Sequence, residues 1–481
     1  MTLLAERVAR EVAMLELWRH GAGELAAMIA AKKASSREVV EAHLKRIEAV
    51  NPTLNAVTRV LADEARAAAA AADRAVAAGS PLGLLHGVPF TVKQNIDLVG
   101  CSTNWGLPML AEAMPALDSP VVERMKAAGA IPIGRTNCPD MALRVSTDSA
   151  LYGLTRNPWD LGRTAGGSSG GEGAALASGM SPIGLGNDIG GSLRNPATCC
   201  GIASLKPSAG RVPLCTAIPA IDGPASFQLM PVEGPMARRV ADVRLGLGIV
   251  AGRHPRDPYS VPAPMVSPRA AGRRLRVAAL PEPPGGSTDP RVAARARAAA
   301  DALATAGYDV VSAVPPRFEE AIATWSAFIA ADIRVLQPTI GPLMSEDANR
   351  FLGFFVDAMP NVDLTGYMGL LMTRQSLIRD WQLWFTDVDL VLTPTWTQLP
   401  FAHGWDAASR ENTQATAELV RCVTIANVLG LPSACVPAGI VDGLPVGVML
   451  TGDRFADDKT LDAAEVIEAA FGLATPIDPV R

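Results

Sequence analysis

Ser168 and Ser192 each sit in a glycine cluster, Gly166-Gly167-Ser168-Ser169-Gly170-Gly171 and Gly190-Gly191-Ser192. Glycine reaches positive φ and allows close backbone approach. Between the clusters lie a small-residue helix pattern over 172–178 and a short apolar run over 182–185. Such an arrangement reads as two tight turns facing each other. Each offers serine hydroxyls and exposed N–H groups, the parts of an acyl-transfer site. A flexible Gly/Ser linker would not alternate with an Ala-rich helix and an apolar strand. A phosphate loop would need Gly-Lys-Ser/Thr to close the first cluster, and it is absent.

A serine nucleophile needs a base. No histidine lies in 164–207, and Ser192 sits in GGSLR, not in a G-x-S-x-G elbow. A lysine can serve only when neutral. Lys93 ends an alternating apolar run that includes Val88, Phe90 and Val92. Burial against such neighbours would lower its pKa and free a lone pair. A strand-end lysine that snorkels to water explains the same residue when it is taken alone. The five histidines show no metal-ligand spacing, so no metal is expected.

The elements that would hold these residues alternate. Ser35-Ser36-Arg37-Glu38 fits a capping box for a helix carrying Val40, Leu44 and Ile47, with Asn51-Pro52 as its end. An Ala-rich helix over 61–78 stops at Gly79. Strand character over 84–95 is followed by a helix over 119–128 and a buried strand over 129–134. The helix-Gly-strand pattern recurs over 292–314, with further strands over 275–280 and 389–394. A hairpin over 433–452 turns at Asp442-Gly443, and a helix over 459–471 closes the pattern. This alternation predicts an α/β fold with a largely buried sheet. The Pro-rich stretch 253–268 reads as a surface connection. Residues 318–385 read as helical and dense in aromatics, among them Trp325, Phe351 and Phe355. Core packing and a cap over an apolar pocket both fit that region.

Across 481 residues the net charge is −5 and the charges are interspersed, which argues against a nucleic-acid partner. Seven cysteines without CxxC predict buried thiols in a reducing compartment. The chain is charged from Glu6 onward, and no run of 18 apolar residues occurs. A cytoplasmic protein without a membrane span is therefore expected.

Three motifs together resemble the amidase signature family: GVPFTVKQN around Lys93, AGGSSGGEGA around Ser168 and GLGNDIGGSLRNPA around Ser192. The spacings, 75 residues from Lys93 to Ser168 and 24 from there to Ser192, are similar too. RNPWD, SLKP, EGPMAR, LTPT and DGLPVGVML extend the resemblance over roughly residues 20–470. It implies one large domain over 1–481, a mixed twisted β-sheet surrounded by helices. Helices in 1–80 would pack on the core, and 318–385 would form a helical cap. It implies a Ser–cis-Ser–Lys triad with Ser192 as nucleophile, Ser168 as proton relay after a cis peptide from Gly167, and Lys93 as base. The N–H groups of Ile189, Gly190, Gly191 and Ser192 would form the oxyanion hole, with Ser169, Asp188 and Arg194 in support. Gln94 stands where the family commonly has Asp, and Asn187 where it commonly has Ser or Thr. Residues 142–147 lie where the family lines its acyl pocket. The activity implied is hydrolysis of aryl or alkyl carboxylic amides, extending to carbamates and with esterase side activity. The expected partner is a small amide or carbamate substrate, with no cofactor; a homodimer is compatible with the sequence. The alternative is the glutaminase subunit of a tRNA-dependent amidotransferase.

Overall fold

Eleven strands pair into one mixed sheet in the computed structural model, which describes residues 16–219, 222–267 and 273–480. Residues 1–15 of the N-terminal segment and Pro268 of the Pro-rich connection lie outside the described residues. The strands are β1 (Val57–Val60), β2 (Pro89–Lys93), β3 (Ile131–Thr136), β4 (Ile183–Asp188), β5 (Ala203–Lys206), β6 (Val232–Ala237), β7 (Arg276–Ala279), β8 (Asp309–Val311), β9 (Leu390–Pro394), β10 (Ser433–Val441) and β11 (Leu444–Gly452). Their order is β1-β3-β2-β4-β6-β5-β10-β11-β9-β7-β8. β2 runs parallel to β3 and β4, and β7 parallel to β8 and β9; the other pairs are antiparallel. The register Thr91↔Gly184 and Val92↔Leu185 brings the carboxyl ends of β2 and β4 out together. That edge of an open α/β sheet is where ligands commonly bind.

Helices cover both faces, so the sheet is buried on two sides. Successive side chains enter different layers. Leu390, Leu392, Ala434, Val436, Val448 and Leu450 join one apolar cluster, while their neighbours Val391, Cys435 and Met449 join the other. Full burial of a large aliphatic side chain contributes roughly 1.5–3 kcal/mol. A one-residue slip would send every strand residue to the wrong layer, which specifies the register strongly. The hairpin between β10 and β11 turns where expected, with Asp442 at φ 51° and Gly443 at φ 77°.

The N-terminal helices follow their sequence signals closely. Ser35 caps the helix Ser36–Leu54: its hydroxyl accepts from the Glu38 N–H at 3.1 Å, and Glu38 Oε2 accepts from the Ser35 N–H at 2.7 Å. This helix passes through Pro52 instead of ending there. Proline removes only the N–H that would reach the carbonyl of Glu48, a surface residue whose carbonyl water can serve. The helix Ala22–Ala30 begins on Asp242, whose carboxylate accepts from the N–H groups of Ala22 and Gly23. No helix among the described residues is long and apolar enough to cross a membrane.

Residues 318–385 form three helices, Phe318–Ile340, Glu346–Asp357 and Leu364–Trp384. Their aromatics divide between core and pocket. Phe318, Trp381 and Phe385 pack in the core with one another. Trp325, Phe351 and Phe355 line a pocket.

Gly184 on β4 faces the fully buried carboxyl of Glu172, which accepts from Thr91 and, at 2.7 Å, from Thr136. A Cβ there would fall 1.7 Å from Glu172 Oε1 and 2.9 Å from Thr91 Oγ1. Gly184→Ala should destabilise the fold by about 1–3 kcal/mol, as overpacking does. A thermal or urea melt reads this, and an unchanged midpoint would mean that the Glu172 helix shifts freely.

Candidate active site

Lys93 is the last residue of β2 and has no exposed surface. Phe90 and Val92 belong to the opposite apolar layer, so they are not what surrounds it. Lys93 shares the face of Thr91, which is covered by the helix Gly170–Ala177 through the Thr91–Glu172 hydrogen bond. Its Nζ lies 2.7 Å from Ser168 Oγ and 2.7 Å from Asn187 Oδ1. Both partners are neutral. Burial therefore pushes the lysine pKa down to about 8, although Cys138, Asp188, Glu172 and Glu233 nearby pull the other way. A neutral amine has two N–H donors and one lone pair. The Asn187 carbonyl can only accept, so it takes an N–H and leaves the lone pair available to the Ser168 hydroxyl. Gln94 turns elsewhere, donating to Thr58 Oγ1 at 2.7 Å and Tyr152 Oη at 3.3 Å.

The first glycine turn holds Ser168. Gly166 has φ 77° and the Gly167–Ser168 peptide is cis. Thr147 clamps the turn from outside: its hydroxyl donates to Gly166 O at 2.9 Å and accepts from the Gly170 N–H at 3.0 Å. Asn195 stitches this turn to the second one, its Nδ2 donating to Gly167 O at 3.1 Å and to Gly190 O at 3.3 Å. Trp396 Nε1 in turn donates to Asn195 Oδ1 at 2.9 Å. Ser169 Oγ reaches Asn187 O at 3.5 Å.

The second turn is built on Asp188 at the end of β4. Its carboxylate accepts from the N–H groups of Gly191 at 2.7 Å and Leu193 at 3.1 Å. It is paired in bidentate fashion with Arg194, both contacts at 3.0 Å, and accepts from Asn427 Nδ2 at 2.9 Å. Burial alone would raise the Asp188 pKa. The Arg194 guanidinium outweighs it and holds the carboxyl down at about 2. The Gly191 N–H, expected in an oxyanion hole, is thus already committed to Asp188. The N–H groups of Ile189, Gly190 and Ser192 donate to no other described residue. Ser168 Oγ is engaged by Lys93, and no hydrogen bond joins it to Ser192 Oγ.

Ser192, Ile189 and Gly190 open onto a pocket with about 780 Å³ of empty space including its mouth. Its walls are mainly apolar: Leu143, Val145, Ile322, Trp325, Phe351 and Phe355. Two arginines border it, and both are already paired. Arg144 contacts Asp406 at 2.6 and 2.8 Å, and Arg421 pairs with Glu319 and Glu418.

Asn187 with its contact to the lysine, Asn195, Trp325 and Asn427 are among the residues of this constellation to which the sequence alone assigns no role. Asn187 and Asn195 lie inside the GLGNDIGGSLRNPA motif, so their polarity among small residues was a signal. Trp325 and Asn427 meet the turn from 136 and 239 residues away, where local sequence holds no signal.

The family model for amidases matches residues 38–461. An indoleacetamide hydrolase of Bradyrhizobium diazoefficiens is 44% identical over 461 residues, covering 95% of this chain and 87% of that protein. A glutamyl-tRNA(Gln) amidotransferase subunit of Salinispora arenicola is 34% identical over 501 aligned residues, covering 96% and 99%. Among solved structures, 6-aminohexanoate cyclic dimer hydrolase complexed with substrate superposes with a TM-score of 0.81 at 28% identity, over 96% of this chain and 99% of that one. With its mixed sheet and paired glycine turns, the chain belongs to the amidase signature family and is an amide hydrolase.

Proposed function

We propose that the protein hydrolyses small aromatic carboxamides of the arylacetamide type, with indoleacetamide as the model substrate, through an acyl-enzyme on Ser192. The observation that carries this reading is the fully buried Lys93, whose Nζ lies 2.7 Å from Ser168 Oγ beside an apolar pocket bordered by Ser192. Ser192 Oγ attacks the amide carbon while its proton passes through Ser168 Oγ to the Lys93 lone pair. The charge that develops on the carbonyl oxygen is received by the N–H groups of Ile189, Gly190 and Ser192. One such donor is typically worth roughly 100- to 1000-fold in rate. The C–N bond then breaks, and the proton on Lys93 returns through Ser168 to the leaving nitrogen. Water, deprotonated by the same relay, attacks the acyl-enzyme and releases the carboxylic acid and Ser192. The Ser168–Ser192 contact closes when substrate binds, as catalytic hydrogen bonds commonly tighten in the Michaelis complex.

Two observations support the substrate class. The relative named indoleacetamide hydrolase aligns over 95% of this chain. The pocket's arginines are consumed by Asp406, Glu319 and Glu418, so its interior suits a neutral, aromatic acyl group. The helices of 318–385 act as its cap. Carbamates present the same carbonyl and leaving group and rank second as substrates. The glutaminase reading draws on the amidotransferase relative. Glutamine carries an ammonium and a carboxylate on its acyl part, and a pocket with internally paired arginines does not satisfy them.

A panel of indoleacetamide, an aryl carbamate and glutamine, assayed on the purified chain, should give the highest kcat/KM with indoleacetamide and no measurable glutamine turnover. A preference for glutamine would transfer the assignment to the amidotransferase reading. Ser192→Ala should abolish turnover and labelling by a fluorophosphonate probe; persistent labelling at another residue would remove Ser192 from its role. The rate should also depend on pH. Burial disfavours the Lys93 ammonium, so the competent neutral amine is depleted below about pH 8 and kcat/KM should rise through that value to a plateau. Lys93→Ala should lower the plateau by about 100- to 10,000-fold and remove this limb. A limb that survived would belong to another group, such as Glu172, which burial raises to about 7.

A further inference from the structure

We infer that Trp325 is a positioning residue for the oxyanion turn: it ties the wall of the acyl pocket to the direction of the Gly190 N–H. The inference rests on the reading of Ser192 as nucleophile. Trp325 stands on the helix Phe318–Ile340, and its indole Nε1 donates to Ile189 O at 2.8 Å. The carbonyl of Ile189 and the N–H of Gly190 belong to one planar peptide unit and point in opposite directions. Whatever holds the carbonyl therefore aims the N–H.

The rest of the turn is tethered from the sheet side. Asp188 holds the Gly191 and Leu193 N–H groups, and Asn195 holds Gly190 O. Among the described residues nothing else donates to Ile189 O. This one peptide is thus fixed from the pocket side, by a residue that also lines the pocket. The ring lies hard against the turn: a Cβ on Gly190 would fall 2.4 Å from its Cζ2. Phe355 packs edge-on to the indole, with centroids 6.2 Å apart and planes at 61°, which keeps the ring from swinging away.

Without the indole N–H, the Ile189 carbonyl is an orphaned acceptor beside an apolar cavity. Glycine at 190 and 191 lets the peptide rotate. A rotated peptide turns a carbonyl oxygen, not an N–H, toward the developing oxyanion, and that opposes the transition state. The loss therefore falls on kcat for every amide, including amides too small to touch the ring. A residue that served only as pocket wall would instead raise KM, and only for large acyl groups.

Trp325→Phe keeps an aromatic ring and removes the donor. Benzothienylalanine at the same position keeps the full bicyclic shape, with sulfur in place of the N–H, and serves if the phenylalanine variant misfolds. Each is assayed on indoleacetamide and on acetamide, with labelling by a small fluorophosphonate mapped by mass spectrometry. The expected result is a fall in kcat of about tenfold on both amides, little change in KM, and slower labelling that still maps to Ser192. A raised KM on indoleacetamide alone, with acetamide turnover and labelling rate unchanged, would overturn the inference. Label mapping to another residue would instead overturn the Ser192 reading beneath it, so the two failures are distinguishable.

Discussion

One buried carboxylate organises the site. Asp188 ends the strand that carries it to the sheet edge and accepts from Gly191, Leu193, both arms of Arg194 and Asn427. Its side chain and that of Arg194 are both withdrawn from water. Such a pair adds little net stability compared with apolar residues, yet removing one partner costs roughly 3–5 kcal/mol, because a charge is left stranded. What the pair provides here is geometry. The Gly190-Gly191-Ser192 backbone has almost no side-chain packing of its own to hold it, so its shape is imposed by the acceptor beneath it. Asn427 extends the same constraint to the helix Arg421–Leu429, whose Arg421 and Thr424 line the pocket.

Burial acts on every ionisable group near the turns, and the contacts decide the outcome. Asp188 stays ionised because a guanidinium is locked onto it in two places. Glu172 has only hydroxyl donors, Thr91 and Thr136, so burial raises its carboxyl to about 7. Lys93 has two neutral neighbours and no contacting carboxylate, so burial lowers it to about 8. One low-dielectric environment thus yields a permanent structural anion and an amine that gives up its proton near neutrality. Asn187 belongs to this balance. A carboxylate in its place would hold the lysine charged, whereas an amide carbonyl orients the amine without adding charge.

The pocket and the turns come from different parts of the chain. Lys93 and the second glycine turn hang from the adjacent parallel strands β2 and β4, and the first glycine turn opens the helix Gly170–Ala177, while the apolar wall comes largely from the helices Phe318–Ile340 and Glu346–Asp357. Trp325 joins the two through its hydrogen bond to Ile189. The polar turns at the sheet edge therefore face a largely helix-borne apolar wall, so the two can vary separately.

The amino-acid sequence by itself was enough for the α/β class, the capping box at Ser35, the hairpin turn at Asp442-Gly443 and the two glycine turns. Each of these is written within a few neighbouring residues, where periodicity, caps and positive-φ demands act locally. The candidacy of Lys93 was legible in its strand and in its motif, but the apolar neighbours read along that strand proved to face the other layer, because side chains alternate. Pro52 read as a helix end because its missing N–H is a local fact, whereas whether water can serve the freed carbonyl depends on exposure. The Gly191 N–H read as free because its acceptor, Asp188, acts across the folded turn. Tertiary structure alone decided that Asn195 would join the two turns, that Asn427 and Trp325 would reach them from distant helices, and that the arginines bordering the pocket would be paired. Those contacts depend on how the sheet edge and the helices pack, and no local pattern of residues encodes that packing.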